Sequence, residues 1–583
     1  MNGPISKSVH RTDAGLKVSG QAQYIGDYKM DGMLYASTVR SERVRARIVS
    51  IDIPELPEGY YTVDHNDSPG NNYSQMLVND WPFFAVDVVN FIGEPIMLVV
   101  GPDRSVIQDI KSRIKIVYED IPAINTIDDA IENKVPPIYG DNNLFASYEF
   151  CKGDFDYFFN NAHRTFEERF ETGYQEHIYL EPQGMIAYTE GEKVIIIGSM
   201  QCPYYVHKAM CTALGKEKHQ VQIKQSTTGG AFGGKEDFPT IIAGQLAAAA
   251  IKTGKPVQLI FERNEDILAT TKRHPSISRY RSAVDENGNI VAMEAELTLD
   301  GGAYAGLSSV VLQRGLFAAI GVYNIPNVIV RGYAYATNSV PSGAYRGFGA
   351  PQSLVAVESH VENIAKALNI KPLEYKKRHI VRQYDHSSTS GTFRSPIKFP
   401  EIISKLEEIS DYSNKYNEYL ENNRQSNMKK GIGLALVIHG CGFTGKGEEI
   451  IQGTASVKKR RDGKAEILIS NVEMGQGTQT TLAKIVAKSL DLPLDMVVYE
   501  NPDTDRVPDS GPTVASRTVI IVGGLLEKIC RELKIRWNEA DEFVVSKTYH
   551  HPAYIKWDQD TLHGDAYPEY SWGANVVEVE VDT

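Results

Sequence analysis

The stretch TTGGAFGGKED, Thr227–Asp237, carries the first chemistry legible in the chain. Gly229, Gly234 and Lys235 satisfy the GxxxxGK spacing of a phosphate cradle, in which backbone N–H groups and a lysine take the phosphates. The next position should then be Ser or Thr, to reach a magnesium ion; here it is Glu236. A carboxylate on the lip of a phosphate site adds like-charge repulsion, so the spacing fits a nucleotide poorly. Glu176, His177 and Glu181 have a spacing that suggests metal ligands on a helix. Three mixed ligands without a further partner do not define a zinc site, and these residues are expected to be structural.

Gly-rich turns run straight into helical patterns elsewhere too. GGAFGGKED leads into FPTIIAGQLAAAAIKT, RGFGAP into QSLVAVESHVENIAKAL, EMGQG into TQTTLAKIVAKSL, and DSGPTVAS precedes RTVIIVGGLLEKICREL. Each turn could aim free N–H groups and a positive helix end at an anion. Four such turns are either unrelated connections or the grips on one large anionic ligand.

The elements that would carry these turns need more than one core, because 583 residues exceed what a single core organises. A net charge of −13 with no dense Lys/Arg run disfavours a nucleic-acid partner. The five cysteines are scattered without a CxxC pair, which points to a reducing, cytoplasmic setting and away from an iron–sulfur or zinc site in this chain. MNGPISKSVHRTD has no apolar core of a secretory signal, and no apolar run is long enough for a bilayer, so no membrane partner is expected.

LYASTVR (Leu34–Arg40), PIMLVVG (Pro95–Gly101) and KVIIIGSM (Lys193–Met200) are predicted strands. FPEIISKLEEISDYSNKYNEYL is predicted as one amphipathic helix whose Tyr412, Tyr416 and Tyr419 pack inward. NVVEVEVDT, Asn575–Thr583, alternates with period two and predicts a strand. The expected division is 1–145, 146–380, a connection at 381–430 and 431–583.

Taken together, GGAFGGKE, the QRGLF stretch around Arg314, AYRGFGAPQ, GFT at Gly442–Thr444, EMGQG and SGPTVASR resemble, in order, the molybdenum-binding part of the xanthine dehydrogenase and aldehyde oxidase family, the molybdenum hydroxylases. QEHIYLEP fits the same pattern, and GDYKMDGMLYASTVRS with FIGEPIMLVV looks like that family's small α/β hammerhead domain. The resemblance covers nearly the whole chain. It implies an α+β fold: an α/β hammerhead domain followed by two mixed α/β molybdopterin-binding domains, the second incomplete.

The resemblance also assigns residues. Gln201, Gly230, Phe232, Gly233 and Arg346 match positions around the molybdenum centre, which is held through the pterin rather than by a protein side chain. Gly475, Gln476, Thr513, Ala515, Ser516 and Thr518 match cofactor-contact regions. Arg517 is suited either to a phosphate or to an ordinary salt bridge. Phe348 and Phe443 match a pair that sandwiches a flat ring, with Thr444 at its edge. Glu236 and Arg314 match the residues that read a purine from opposite edges and act in its turnover. A buried salt bridge, between these two or to other partners, is the plainer alternative.

The implied ligand is a molybdopterin, with or without a nucleotide extension. The implied activity is hydroxylation of a purine or related small heteroaromatic ring with oxygen from water. Electrons would pass to 2Fe-2S clusters and FAD on partner chains. The family's carbon monoxide dehydrogenases carry Cys where this chain has Gly347, which argues against that chemistry. Aldehyde- or nicotinate-type substrates, a cofactor-carrying protein without turnover, an inactive truncated member and a P-loop nucleotide binder remain as alternatives. Family members continue past the point matched by Thr583 into a loop bearing the glutamate that serves as general base, and nothing in the chain matches that loop. The expectation is therefore that this chain alone lacks the base, which a separate subunit would supply.

Overall fold

A computed structural model describes residues 4–423 and 427–583. Residues 1–3 of the N-terminal stretch and 424–426 of the expected connection lie outside it.

Short apolar β-branched runs form the first sheet. Its seven strands lie in the order Val221–Gln225, Lys193–Gly198, Gly184–Glu190, Val257–Ile260, Leu34–Arg40, Pro95–Gly101, Tyr61–Val63. Strands from the N-terminal part and from the middle of the chain thus share one sheet, joined where Leu34 pairs in parallel with Val257. Lys193–Gly198 and Val221–Gln225 run parallel, with Gly198 opposite Gln225. Their carboxyl ends therefore deliver Gln201 and the Gly229–Glu236 turn side by side. Helix Pro239–Thr253 follows that turn and is apolar nearly all round, as a helix buried on all sides must be.

A second sheet of five strands runs Leu144–Lys152, Asn327–Tyr335, Ile290–Asp300, Ser276–Val284, Arg164–Thr172. Helices Ser308–Phe317 and Ala350–Ala367 share its core, the first bearing Gln313 and Arg314, the second following the Ala344–Gly349 turn. A third core joins four short strands to helices Thr478–Leu490 and Gly524–Ile535. The segment before Ser510 docks on the edge strand of the first sheet. Gln225 N–H donates to Pro502 O at 2.9 Å, and Thr504 N–H donates to Ile223 O at 3.0 Å. This docking brings the 510–518 loop to Gln201.

The strands expected at Leu34–Arg40 and Pro95–Gly101 form, and the one expected over Lys193–Met200 forms over Lys193–Gly198. The alternating C-terminal stretch is part of strand Glu569–Asp582, paired antiparallel along Met428–Cys441. One expectation is corrected. The single helix over Phe399–Leu420 is two helices, Phe399–Ser410 and Tyr412–Asn422, because Asp411 takes a left-handed conformation (φ 54°) that ends the first. Tyr412 and Tyr419 are buried, and Tyr416 stacks on Tyr412.

Helix Pro239–Thr253 fixes the height of the Gly-rich turn, and Gly244 is its tightest contact. A Cβ there would lie 2.5 Å from Cδ1 of the buried Phe83 ring. Gly244→Ala improves helix propensity by about 1 kcal/mol but overpacks the core at about 1–3 kcal/mol. A lower thermal unfolding midpoint is expected; a raised one would show that the helix is not seated on Phe83.

Candidate functional site

The four Gly-rich turns meet. Gly233 N–H donates to Gln201 Oε1 at 2.8 Å, and Gln201 Nε2 donates to Thr513 O at 3.4 Å. Arg346 N–H donates to Phe232 O at 2.9 Å, and a Cβ on Gly233 would lie 2.5 Å from Ala344 O, so the turns at 229–236 and 344–349 lie back to back. Thr513 Oγ1 accepts from Val472 N–H at 2.9 Å, which ties in the turn at 473–477. One amide, one hydroxyl and one backbone pair thus join all four.

Backbone strain concentrates at the same place. Ile178, Phe232, Phe348, Ala515 and Ser516 have φ between 45° and 55°, in the left-handed region that non-glycine residues avoid. Each such position costs about 1–3 kcal/mol and persists only where the surroundings impose it. Free donors collect there too: the N–H groups of Gly230, Ala231, Phe232, Ala515 and Ser516 have no acceptor among the described residues. Gly475 and Gly477, both at positive φ, have open space where a side chain would stand. A π-helical turn, Thr518–Gly523, opens the helix after the 510–518 loop. Neutral backbone donors around open glycine turns fit a large anion held without lysines.

The nucleotide reading of GGAFGGK fails on Lys235. Its ammonium is completely buried, donating to Glu181 Oε2 at 3.0 Å and to Ser199 Oγ at 2.9 Å. Burial lowers its pKa against the pull of Glu181. The same carboxylate oxygen takes Gly229 N–H at 2.7 Å. Lysine and first glycine are therefore bound to the protein, not open to a phosphate. The turn at 473–477 corrects the sequence expectation in the same way. Its N–H groups at Gly475, Gly477 and Gln479 donate to the Glu473 carboxylate at 2.8, 3.0 and 3.1 Å. The chain caps that helix end itself, and Arg11 closes over Glu473 at 2.9 Å.

Two of the residues expected to read the substrate, Arg314 and Thr444, meet where helix Ser308–Phe317 contacts the loop after strand Met428–Cys441. Arg314 donates from Nη1 to Gly442 O at 3.0 Å and from Nη2 to Gly440 O at 2.9 Å. Thr444 Oγ1 donates to Gln313 Oε1 at 3.1 Å. Phe348 and Phe443 are half-buried. Glu236 is buried, makes no ion pair with Arg314, and has no hydrogen-bond donor to its carboxylate among the described residues. Burial, then the neighbouring Asp237, push its carboxyl well above the usual carboxylate range, while Arg314 pulls the other way. The alternative of a Glu236–Arg314 bridge is therefore not what forms.

Some expected residues work within the protein. The Gln476 side chain closes its own turn, donating to Val472 O at 2.9 Å and accepting from Met474 N–H at 2.8 Å. Thr518 Oγ1 lies 3.5 Å from Asn471 Nδ2. Arg517 makes a buried salt bridge with Glu448 rather than reaching outward. Glu176 pairs with Lys272 at 2.6 Å, so Glu176 and Glu181 are structural. Glu448 and Glu473 went unassigned in the sequence, and Lys235 is marked there only as a phosphate ligand, because nothing in their spacing marks a buried anchor.

Three family profiles match the chain. The aldehyde oxidase and xanthine dehydrogenase a/b hammerhead domain matches residues 19–122, and two molybdopterin cofactor-binding domains match 137–380 and 405–547. Xanthine dehydrogenase 1 of Arabidopsis thaliana is 30% identical over 99% of this chain and 44% of its own length, and aldehyde oxidase 4 of Rattus norvegicus is 29% identical over 98% and 44%. The chain thus spans less than half the length of these curated relatives. The aldehyde oxidoreductase of Desulfovibrio gigas superposes with a TM-score of 0.88 at 25% identity, over 98% of this chain and 66% of that one. Quinoline 2-oxidoreductase of Pseudomonas putida 86 shares the fold at a TM-score of 0.89 and 22% identity, over 100% and 81%.

The Lys235–Glu181 pair is the anchor under the first turn. Glu181→Ala leaves a buried ammonium and the Gly229 N–H unpaired, a loss of about 3–5 kcal/mol. Adding Lys235→Met is expected to recover more than half of the lowered thermal unfolding midpoint. No recovery would show that the two groups are not coupled.

Proposed function

We propose that this chain, which belongs to the xanthine dehydrogenase and aldehyde oxidase family, holds a molybdopterin across its four converging turns and hydroxylates a purine or related N-heterocycle in the adjoining slot. The convergence carries the proposal: N–H groups without a protein acceptor at Gly230–Phe232 and Ala515–Ser516, joined through Gln201, suit an anion that touches both halves of the chain. The cofactor supplies two-electron redox chemistry at its metal. Gln201, Phe232, Gly233 and the backbone of Arg346 line the metal end. Gly230, Thr513, Ala515, Ser516 and Thr518 line the remainder, together with the turn of Gly475 and Gln476.

The chain's own side chains bind and orient the ring. Phe348 and Phe443 enclose its faces, and Thr444 meets an edge. Glu236, whose carboxyl burial raises above its ordinary range, meets the edge of the ring opposite Arg314. Arg314 spends two N–H groups on Gly440 and Gly442, has Nη2 3.5 Å from His439 Nε2, and keeps its remaining N–H groups for negative charge building on the ring. The absence of a bond between Glu236 and Arg314 leaves both groups available, which favours purine-type over aldehyde substrates.

Iron–sulfur clusters and FAD on partner chains in the cytoplasm would take the electrons, and a nucleotide extension of the pterin is part of the same proposal. The exposed apolar row Val577, Val579, Val581 on strand Glu569–Asp582 offers one surface for a partner. The units 1–145, 146–380 and 431–583, with the connection 381–430, belong to this proposal as well, the first lending strands to the sheet of the second.

Elemental and pterin analysis of the complex purified with its partners tests the cofactor. Molybdenum close to one per chain is expected, and active complex without molybdenum would reject the proposal. Substrate reading is tested separately. Arg314→Met or Glu236→Val should lower purine turnover about tenfold to a few hundredfold, the scale of one charge-assisted hydrogen bond, and aldehyde turnover much less. Equal losses would make both residues supports of the fold.

A further inference from the structure

The Arg517–Glu448 pair links the loop after strand Met428–Cys441 to the 510–518 loop, and the function proposed above makes no use of it. Both side chains are fully buried. Arg517 Nε lies 3.0 and 3.2 Å from the two carboxylate oxygens, and Nη2 lies 2.9 Å from Oε2. Its remaining nitrogen, Nη1, donates to Ser510 O at 2.7 Å and to Pro512 O at 3.4 Å. Glu448 Oε1 also accepts Phe443 N–H at 3.1 Å. One residue earlier, Gly442 N–H donates to Ala515 O at 2.9 Å. Glycines make room for the guanidinium: a Cβ on Gly511 would lie 2.6 Å from Nη1, and one on Gly453 3.0 Å from Nη2.

We propose that Glu448 is a positioning residue that fixes the backbone at Phe443 and, through Arg517, locks this loop to the 510–518 loop. All three guanidinium nitrogens are engaged inside the protein, so Arg517 does not bind a ligand phosphate. The same short loop is held from its other side by Arg314 on Gly440 and Gly442. Ring enclosure and charge stabilisation therefore share one rigid support. Charged pairs this deep are weak sources of stability, which suits a positional role better than an energetic one. The effect on turnover rests on the function proposed above; the hold on Phe443 does not.

Removing Glu448 alone strands a buried guanidinium and threatens folding, so the test uses two double variants. Glu448→Met/Arg517→Met removes both charges and the acceptor for Phe443 N–H. Glu448→Gln/Arg517→Met removes both charges and restores an acceptor. Both are compared with wild type in the co-purified complex by amide hydrogen exchange, metal content and steady-state kinetics.

In the first variant, exchange at Phe443 should be faster and KM for a heteroaromatic substrate higher, each by about tenfold or more, the worth of one hydrogen bond to a charged group. Turnover at saturation should stay within about threefold and molybdenum per chain should be unchanged, because only ground-state placement is lost. The second variant should restore slow exchange and most of KM. Unchanged exchange at Phe443 in the first variant, equal KM in both variants, or loss of molybdenum in both would overturn the proposal. If wild-type complex carries no molybdenum, the functional reading falls, and the exchange rate at Phe443 still decides whether Glu448 holds it.

Discussion

The amide of Gln201 is the joint on which the site depends. It accepts from the first Gly-rich turn and donates to the loop at Thr513, two segments 280 residues apart in sequence that belong to different cores. A neutral group can do this without adding charge beside an anion, whereas a lysine or carboxylate at the same point would repel or neutralise the ligand. Its place follows from the sheet, since the parallel strands ending at Gly198 and Gln225 open on the same edge.

Ionic groups take the supporting role throughout. Lys235–Glu181 lies under the first turn, Arg517–Glu448 joins the Phe443 loop to the 510–518 loop, and Glu473 with Arg11 closes the third turn. Each carboxylate also accepts backbone N–H groups, so a charge pair becomes a fixed loop shape. What remains facing outward is mostly backbone, strained at Phe232, Ala515 and Ser516. Rigid carboxylate anchors holding neutral donors is the reverse of a P-loop, where the lysine itself faces the phosphates.

The glycine spacing and the order of the motifs made the family and fold legible, because turns with positive φ leave few residue choices. Strands were legible where apolar β-branched residues run together, as in Pro95–Gly101 and Lys193–Gly198. The helix break at Asp411 was not, since its periodicity continues across a residue that only the fold forces into the left-handed region. The anchors were hidden for a different reason. Glu448 and Arg517 are 69 residues apart, and their meeting depends on how the third segment docks on the first sheet. Lys235 was visible but misleading, as its local spacing matches a phosphate ligand while its partner, Glu181, lies 54 residues earlier.

A cryo-EM map of the complex purified with its partners tests the central claim most directly, that the turns at 229–236 and 510–518 hold one ligand between them. Continuous density is expected from Gln201 and Phe232–Gly233, within hydrogen-bonding reach of the N–H groups of Gly230 and Ala231, to Ala515 and Ser516. Density for the pterin elsewhere, or a site bounded by only one of these turns, would contradict it.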